Sequence, residues 1–501
     1  MVPLDDERDI EIVRQAAKIL DRENQKLTQK VTDLTRELMA LKGEDPSKLQ
    51  LRLAQLEEQL AHARKKLFGE SSEKGASTTK NGGAPKTQTG HGPREQKELP
   101  HVEVIHALDD ADKVCTACGG ALEEWAGQFE ESEEVDVIER QFVVKKHKQK
   151  KYVCKCGACV ETALGVEKLF AGARYSIDFA VEVAVAKYLD HAPLERQVRI
   201  MRREGLVTDS QTLWDQLERL ARPLKSVLAR LHAHVLAQPV IGADETRWRL
   251  MGATGKDEGE ASRWQVWIAR ATDGVYYAIE DNRSAEAAAK LLEDYAGVVM
   301  CDGDGAYSAL KKRGRRFVLA HCWAHVRRKY VEIEDFFPER CGQILNLIGE
   351  LYAVESACPT GPPGDDLRRQ LRHERSRDIV RRIQQWVMQT PVTPESGLAK
   401  AIDYMTAMWS GLVRFLDDPR IPLDNNGTER AARGPVIGRK NHYGSRSRRG
   451  TEVAALFYSL LESAKLAGVE PKAYLRLAIR AALRGENAPL PHEIATPATA
   501  T

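Results

Sequence analysis

The chain has 501 residues, of which 42% are hydrophobic and 30% charged, and its formal net charge is +2. This length exceeds one ordinary domain, and the composition is typical of a soluble globular protein. A net charge near zero neither indicates nor excludes a nucleic-acid partner, so the distribution of charge has to decide that question. No signal peptide is recognisable and no apolar run reaches membrane-spanning length, which predicts a cytoplasmic protein without a membrane partner.

A heptad pattern occupies residues 1–68. Apolar residues alternate at steps of four and three over 13–41, and the pattern resumes over 49–67 after a break around Pro46. The pattern predicts either an interrupted coiled coil or an antiparallel helical hairpin. Such a seam favours self-association, at least as a dimer, with Asn24 as a polar position that sets the register. Residues 69–98 are rich in Gly, Ser, Thr, Lys and Pro, which predicts a flexible linker.

A cysteine cluster within residues 99–165 predicts one structural Zn²⁺ in a zinc ribbon. In a reducing compartment, two short cysteine groups about forty residues apart favour a metal site over disulfides. Cys156 and Cys159 repeat the x-x spacing of the first pair and are the favoured ligands, while Cys154 remains an alternative and free buried thiols are the other interpretation. The cluster consists of Cys115, Cys118, Cys154, Cys156 and Cys159.

Basic and helical segments follow this cluster. A lysine run just before the second cysteine group is expected to contact DNA phosphates, although lysines on a strand usually face water. Residues 166–236 are predicted to be helical, and helices at 194–203 and 210–220 around Gly205 are compatible with a DNA-binding helix-turn-helix. A helical packing scaffold is the alternative. The lysines are Lys145, Lys146, Lys148, Lys150 and Lys151.

Three acidic signals define a candidate catalytic centre. Residues 239–250 alternate as a half-buried strand, so Asp244 and Glu245 must face opposite sides of the sheet. A buried-type strand at 297–301 ends in Asp302, and Glu429 lies in the first turn of a helix that Asp424, Asn425 or Asn426 can cap. Two strand-borne aspartates and one helix-borne glutamate are the oxygen ligands that two-metal phosphoryl transfer needs, with two Mg²⁺ or Mn²⁺ ions.

The order of elements predicts the fold around these carboxylates. Further strands are expected at 264–268, 274–279 and 317–320, with a helix capped by Ser284 after the third strand. This order is that of a ribonuclease-H-like α/β domain, in which the first and fourth strands are neighbours and Asp244 lies beside Asp302. The core is assigned to 237–330 and 421–486.

Two segments interrupt or follow this core. Residues 331–420 carry only helical periodicity, which predicts a helical insertion between the second and third carboxylates. Residues 487–501 are expected to be a disordered tail. A run of cations after Glu429 suggests a path for the DNA backbone, although such runs are usually solvated faces. Its members are Arg430, Arg433, Arg439, Lys440, Arg446, Arg448 and Arg449.

Several motifs, in one order along almost the whole chain, resemble the insertion-sequence-66 type of DDE transposase. Upstream, the resemblance includes Leu67-Phe-Gly69, Ser71-Ser-Glu-Lys74, Lys187-Tyr188, Pro193-Leu194 and Arg196-Gln197. In the core it rests on Ala243-Asp-Glu-Thr246, Cys322-Trp-Ala-His-Val-Arg-Arg-Lys329, Asp424-Asn-Asn426 with Glu429-Arg430, Gly438-Arg-Lys-Asn441, and Tyr458-Ser-Leu460 through Ala464-Lys465.

The resemblance implies a multidomain α+β transposase in which Asp244, Asp302 and Glu429 form the catalytic triad. It implies cleavage at the ends of an element and strand transfer into target DNA. The zinc ribbon and the helix-turn-helix would bind terminal inverted repeats, and the heptad helices would pair protomers. Accessory transposition proteins remain open as further partners, and a bacterial, nucleoid-associated location is expected. Arg327 and Arg328 are expected to touch DNA.

Alternatives to this interpretation concern both residues and function. Asp304 competes with Asp302, and Glu462 and Asp424 compete with Glu429, but family members align at Asp302 and Asp424 is better explained as a helix cap. Cys322 and His325 are better explained by capping or core packing than by a metal role. A nuclease or resolvase on the same fold, or a catalytically silent DNA-binding relative, are the functional alternatives.

Overall fold

The computed structural model describes residues 141–155, 159–251, 264–303 and 305–494, together with scattered positions between 102 and 140. Contacts divide the chain into two units, residues 62–140 and the remainder. The predicted heptad helices of 1–68 and the predicted linker of 69–98 lie outside the described residues.

In the part of the chain that the structure describes, seven strands form one small and one large sheet. In the two-stranded sheet, β1 and β2 are antiparallel, and in the five-stranded sheet the order is β5-β4-β3-β6-β7. β4 is antiparallel to its two neighbours, β3 and β5, whereas β6 is parallel to its neighbours, β3 and β7. The strands are β1 Lys151–Val153, β2 Val160–Thr162, β3 Val240–Arg247, β4 Gln265–Arg270, β5 Val275–Glu280, β6 Val298–Cys301 and β7 Val318–His321.

Helices surround the large sheet. A turn of 3-10 helix follows α7, and a π turn joins α8 to α9. The helices are α1 Ile177–Tyr188, α2 Leu194–Arg203, α3 Ser210–Leu236, α4 Ala285–Leu292, α5 Gly305–Lys312, α6 Trp323–Val331, α7 Pro338–Ser356, α8 Asp365–Leu371, α9 Arg377–Gln389, α10 Gly397–Ala407, α11 Trp409–Leu412, α12 Asn426–His442, α13 Arg448–Leu466, α14 Pro471–Leu483 and α15 Pro491–Ile494.

The first and fourth core strands are neighbours, as the sequence predicts. β3 pairs in parallel with β6, in a register that joins Val240 to Val298 and Gly242 to Met300. The predicted cap is also present, because the Ser284 hydroxyl accepts a hydrogen bond from the Ala287 amide at the start of α4. Within residues 331–420, all of which the structure describes, the elements are helices and turns and there is no strand.

The open edge of the sheet at β5 is covered by α13. Ser463 accepts a hydrogen bond from the Val275 amide and Ser459 accepts one from the Tyr277 amide, both at 2.9 Å. These hydroxyl groups satisfy backbone donors that a free edge would leave to solvent or to another strand. The apolar face of α13 packs on the same side of the sheet, so this helix completes the main core.

Two hydrophobic clusters stabilise the large unit. The main core joins the sheet to α1, α3, α13 and α14. The insertion core joins α6, α7, α9 and α10, and it reaches the sheet through Met300 of β6 and Ala320 of β7. Because Val299 and Cys301 lie in the main core, side chains of β6 alternate between the two cores.

Two predicted boundaries differ from the structure. The helix expected at 210–220 continues to Leu236 through Pro223, although proline usually ends a helix, because the residues on both sides of Pro223 bury one continuous face in the main core. The tail expected to be disordered from 487 packs through residue 494. Ala488 and Leu490 are only 3% exposed, and α15 follows them. Residues 488–494 carry only a short apolar stretch without helical or strand periodicity, so the sequence does not show that this segment packs on the core.

Candidate active site

Strand register brings Asp244 and Asp302 to one region of the sheet. Asp244 lies on β3 two residues after Gly242, and Asp302 lies two residues after Met300, the parallel partner of Gly242. Parallel strands end at the same edge, so both carboxylates are carried on adjacent backbones. Asp302 directly follows β6, where the sequence predicts it.

The helix that carries Glu429 packs against β3 at Gly242. A Cβ atom on Gly242 would lie 1.9 Å from the Thr428 hydroxyl and 2.8 Å from the Asn425 Oδ1 atom, so only glycine permits this approach. The Asn425 amide group donates a hydrogen bond to the Ala243 carbonyl at 3.0 Å. The first turn of α12, which contains Glu429, is thereby held beside the strand that carries Asp244.

Asp424 accepts a hydrogen bond of 3.0 Å from the backbone amide of Asn426, the first residue of α12. It accepts a second hydrogen bond, of 2.7 Å, from the Asn426 side-chain amide. These contacts correspond to the capping role expected for Asp424. The side chain of Asn425 forms its hydrogen bond with β3 and does not cap the helix.

The charges of Asp302 and Glu429 both act on Asp244. The pKa of Asp244 is raised to about 7, first by burial and then by the negative charges of Asp302 and Glu429. A hydrogen bond from the Glu245 amide and the more distant Arg283 oppose this shift only in part. Burial and these two negative charges outweigh the opposing contacts, a situation in which a bound metal ion is favoured.

Glu429 itself retains a free ligand atom. Its Oε1 atom is buried and has no hydrogen-bond partner among the described residues, and the Nδ1 atom of His325 lies 3.7 Å away. A buried carboxylate oxygen without a partner is costly unless a cation or a proton satisfies it. The donor set of three carboxylates fits hard divalent cations such as Mg²⁺ or Mn²⁺.

Glu245 faces the other side of β3, as strand alternation predicts. Its side chain is 2% exposed and pairs with Arg283, whose Nε donates to Glu245 Oε1 at 2.9 Å. This ion pair satisfies the Oε1 atom of Glu245. The adjacent acidic residues thus have different roles, since one is neutralised within the protein and the other faces two further carboxylates.

The loop after Asp302 is held by the helical insertion. Gly303 has a φ of 95°, which favours glycine, and a Cβ atom there would lie 2.4 Å from the Met408 sulfur. The Tyr404 hydroxyl donates a hydrogen bond to the Asp302 carbonyl at 2.9 Å. Residue 304, the competing aspartate, lies outside the described residues.

The competing glutamate of α13, Glu462, has a partner of its own. Lys465 donates to both carboxylate oxygens of Glu462, at 2.9 and 2.8 Å. The negative charges that raise the pKa of Asp244 are those of Asp302 and Glu429. These observations favour Glu429 over Glu462 as the third carboxylate.

Comparison with known proteins now adds to this geometry. Residues 172–453, more than half of the chain, match the model described as the Transposase IS66 family. The chain belongs to the IS66 transposase family. Residues 112–157 match the zinc-finger binding domain of transposase IS66. This membership supports a transposase that acts on DNA.

Two curated relatives from Sinorhizobium fredii illustrate how far the similarity extends. The "Uncharacterized protein y4jD" is 32% identical over 395 residues, which cover 76% of this chain and 76% of the relative. The "Uncharacterized protein y4hP" is 27% identical over 406 residues, which cover 75% and 71%. Within the part of the chain that the structure describes, no helix is both long and apolar enough to cross a bilayer.

The zinc-finger match includes the first cysteine pair. The Cys115 amide donates to the Gly120 carbonyl at 2.8 Å, which closes a tight turn around Cys118. Backbone amides of Ala117 and Cys118 lower the pKa of the Cys115 thiol, which favours the thiolate form that zinc binds. This pair fits a structural zinc ion.

The second cysteine group lies at the tip of the β1–β2 hairpin. The Cys154 amide donates to the Cys159 carbonyl at 2.9 Å, and both thiols are exposed. Cys156 lies outside the described residues, and the zinc-finger match ends at residue 157. The choice of zinc ligands among Cys154, Cys156 and Cys159 therefore stays a prediction.

The predicted DNA-contacting residues are mostly exposed. The lysine run at 145–151 is exposed, as are Arg327 and Arg328 on α6. Arg439 is half-buried and donates to the Arg247 carbonyl, and Arg449 pairs with Glu218 at 3.0 Å, so these two also stabilise the fold. The remaining predicted cations of this segment, all exposed, are Arg430, Arg433, Lys440, Arg446 and Arg448.

The predicted helix-turn-helix corresponds to α2 and α3. Gly205 has a φ of 86°, as a turn between helices requires. However, α3 buries residues along its whole length in the main core, so the packing alternative describes this helix well. α2 exposes four arginines, and DNA binding by this pair stays a prediction. They are Arg196, Arg199, Arg202 and Arg203.

Sequence patterns did not reveal the neighbours of Glu429. Ligand atoms of Cys322, His325 and Glu429 lie within 4.8 Å of one another. Burial raises the pKa of the Cys322 thiol to about 11, and its sulfur accepts the Asn425 amide at 3.2 Å, so core packing suits this cysteine better than metal binding. The sequence draws attention to Cys322 and His325, but it carries no signal that they lie beside Glu429.

Proposed function

We propose that this protein is a DNA transposase that cleaves DNA at the ends of its element and joins those ends to target DNA. In this proposal, Asp244, Asp302 and Glu429 form a DDE triad in a ribonuclease-H-like core. The observation that carries the proposal is the convergence of three carboxylates from β3, β6 and α12, with the pKa of Asp244 raised to about 7.

The three carboxylates would hold two divalent cations, Mg²⁺ or Mn²⁺. When bound, such ions activate water or a DNA 3′-hydroxyl as nucleophile and stabilise the departing 3′-oxygen. The protein's own contribution is to position the ligands. Gly242 and Asn425 fix the first turn of α12 against β3, and Tyr404 fixes the backbone of Asp302.

Basic residues near the triad would orient the DNA backbone. Arg430 and Arg433 lie on the same helix as Glu429, and Arg327 and Arg328 lie on α6, whose His325 faces Glu429. Exposed guanidinium groups can bind phosphate oxygens in pairs. Their placement on two helices beside the carboxylates supports a path for a DNA strand across the site.

End recognition and pairing of protomers belong to the N-terminal half in this proposal. A zinc ribbon with Cys115, Cys118 and two of Cys154, Cys156 and Cys159 would bind the terminal inverted repeats together with the exposed lysine run. The heptad segment of residues 1–68 would hold two protomers together, so that two element ends are joined in one complex.

The decisive experiment measures Mg²⁺-dependent cleavage and joining of labelled DNA that carries the element ends. Wild-type protein is compared with Asp302→Asn, Glu429→Gln and the matched control Glu462→Gln. We expect both reactions for the wild type and the control, and neither reaction for the two triad variants, while all four proteins bind the DNA.

Other outcomes separate the rival functions. Cleavage without joining would indicate a nuclease or resolvase. Cleavage that survives Glu429→Gln but is lost in Glu462→Gln would move the third ligand to α13. DNA binding without a reaction, even with host extract added, would indicate a catalytically silent relative and overturn the proposal.

A further inference from the structure

Two histidines and one aspartate meet at the end of the sheet where β3 begins. His234 lies in the last turn of α3, Asp273 in the turn between β4 and β5, and His492 in the short helix α15. Arg270 precedes the β4–β5 turn and pairs with Gly242 near the start of β3, so this turn lies at the end of the sheet where β3 begins. Asp302 follows the last residue of β6, which is parallel to β3, so it lies toward the other end of the sheet. This cluster is therefore separate from the carboxylate triad.

The ligand atoms of these side chains are close enough for one ion. The nitrogen and oxygen atoms all lie within 4.8 Å of one another, and His234 Nε2 lies 3.0 Å from Asp273 Oδ1. The two imidazole rings are stacked, with centroids 3.7 Å apart. A tetrahedral zinc ion with bonds of about 2.0–2.1 Å holds its ligand atoms about 3.3 Å apart, so the two rings must turn out of their stacked arrangement until their in-plane lone pairs converge on one ion.

One ring nitrogen of the cluster has no hydrogen-bond partner among the described residues. This atom is the buried His492 Nδ1. A buried ring nitrogen in this state costs free energy unless a donor or a metal ion satisfies it. Arg230 is the nearby cation, but it pairs with Glu493 at 3.3 Å and donates to the Ala488 carbonyl, so its charge is partly offset.

We propose that His234, Asp273 and His492 bind one zinc ion, with water as the fourth ligand. Two imidazoles and one carboxylate are typical zinc ligands, whereas Mg²⁺ prefers oxygen ligands alone. The site is distinct from both the cysteine site and the triad, and it does not depend on the proposed transposition chemistry.

The position of the three ligands defines what the ion would do. His492 belongs to the C-terminal segment, which otherwise docks through Leu490, Ala488 and the Arg230 contacts. A zinc ion shared with His234 and Asp273 ties this segment to a main-core helix and to the β4–β5 turn. The ion is thus a structural clamp for the C-terminal segment.

The test counts zinc in the full-length protein by elemental analysis, after equilibration with Zn²⁺ in excess Mg²⁺ and gel filtration. The variants are His492→Gln and Asp273→Asn, and the matched control is His373→Gln, an exposed histidine outside the cluster. We expect each of the two variants to hold about one zinc ion per chain fewer than the wild type and the control. Equal zinc content in all four proteins overturns the proposal.

Cobalt substitution separates this site from the cysteine site. Co²⁺ bound by thiolates absorbs strongly in the near ultraviolet, whereas Co²⁺ bound by nitrogen and oxygen gives only weak visible bands. We expect His492→Gln to lose visible intensity and to keep the full thiolate band. Loss of the thiolate band alone, with visible intensity otherwise unchanged, would assign the missing ion to the cysteines and overturn the proposal.

Discussion

The main core and the insertion core support the candidate site in different ways. The main core carries the chemical groups, because β3 bears Asp244 and α12, which bears Glu429, packs on the same strand. The insertion core carries the contacts that hold the backbone of Asp302, through Tyr404 and Met408. The difference indicates that an insertion between two candidate metal ligands can serve as a brace for the loop that precedes it.

The two cores also use different polar anchors. In the main core, Ser459 accepts the Tyr277 amide hydrogen, and Ser463 bonds both the amide and the carbonyl of Val275, at the edge of β5. In the insertion core, Arg372 is 1% exposed, pairs with Glu355, and donates to the carbonyls of the segment that leads to α12. A buried charge pair is costly to break, so the insertion should be the more vulnerable of the two.

Loss of this arginine gives the largest expected effect. Arg372→Met removes the donor to the carbonyls of Phe415, Asp418 and Ile421, and it removes one of the two arginines that pair with Glu355. We expect the free energy of unfolding of the insertion to fall by about 3–5 kcal/mol. Hydrogen exchange should show faster exchange of amides in residues 338–421, with the strands of the large sheet still protected.

The matched control is Arg381→Met, because the Arg381 side chain is 65% exposed and pairs with Asp378, which is itself exposed. Its expected cost is below about 1 kcal/mol. Equal loss of protection in the insertion and in the sheet for Arg372→Met would show that the two cores unfold as one unit.

A substitution at Gly242 should affect the main core and the site together. In Gly242→Ala, the added methyl group meets Thr428 and Asn425, so α12 must move away from β3. We expect a loss of about 1–3 kcal/mol in stability, together with reduced DNA cleavage because Glu429 moves with the helix. Chemical denaturation and the cleavage assay measure the two effects.

Gly349→Ala is the control for this change, since Gly349 lies inside α7 with no atom within 4 Å of the added methyl group. It should stabilise the protein by up to about 1 kcal/mol. Normal activity and stability of Gly242→Ala would contradict the close packing of α12.

Acid should weaken the main core through His442. Burial lowers the pKa of His442 to about 3, whereas the unfolded chain titrates near the ordinary value of 6.5. Below pH 6.5 the unfolded state takes up a proton that the folded state does not, so stability falls as the pH decreases toward 3. The contribution is at most about 1.4 kcal/mol per pH unit.

The measurement is the free energy of unfolding between pH 7 and pH 5 for wild type and His442→Gln, which keeps a polar side chain but does not titrate. We expect a shallower pH dependence in the variant. Identical slopes in the two proteins would show that His442 does not cause this acid sensitivity.

The smallest expected effect concerns the contact between the insertion and the Asp302 loop. Tyr404→Phe removes the hydrogen bond to the Asp302 carbonyl, at a cost of about 0.5–1.5 kcal/mol. We expect slower DNA cleavage with nearly unchanged DNA binding, because the Asp302 loop is held less firmly. Tyr474→Phe is the control, since the buried Tyr474 hydroxyl has no hydrogen-bond partner among the described residues. If the two variants cleave DNA at the same rate, the insertion does not brace this loop.

Local patterns were sufficient for much of the architecture. Alternation and short apolar runs located β3, β6 and β7, and the cap at Ser284 located α4. They were insufficient where packing overrides local preference, as in α3, which continues through Pro223, and in residues 488–494, which dock without a periodic pattern.

The sequence by itself determined which residues are the candidate ligands, because a carboxylate within or just after an apolar strand is conspicuous. It also determined that Asp244 and Glu245 face opposite sides, since this follows from the pleat of any strand. Only the tertiary structure decided which partner each residue meets. Arg283 neutralises Glu245, His325 faces Glu429, and His492 approaches His234, although these residues are far apart in sequence. Such contacts depend on how elements pack in three dimensions, and local periodicity carries no information about them.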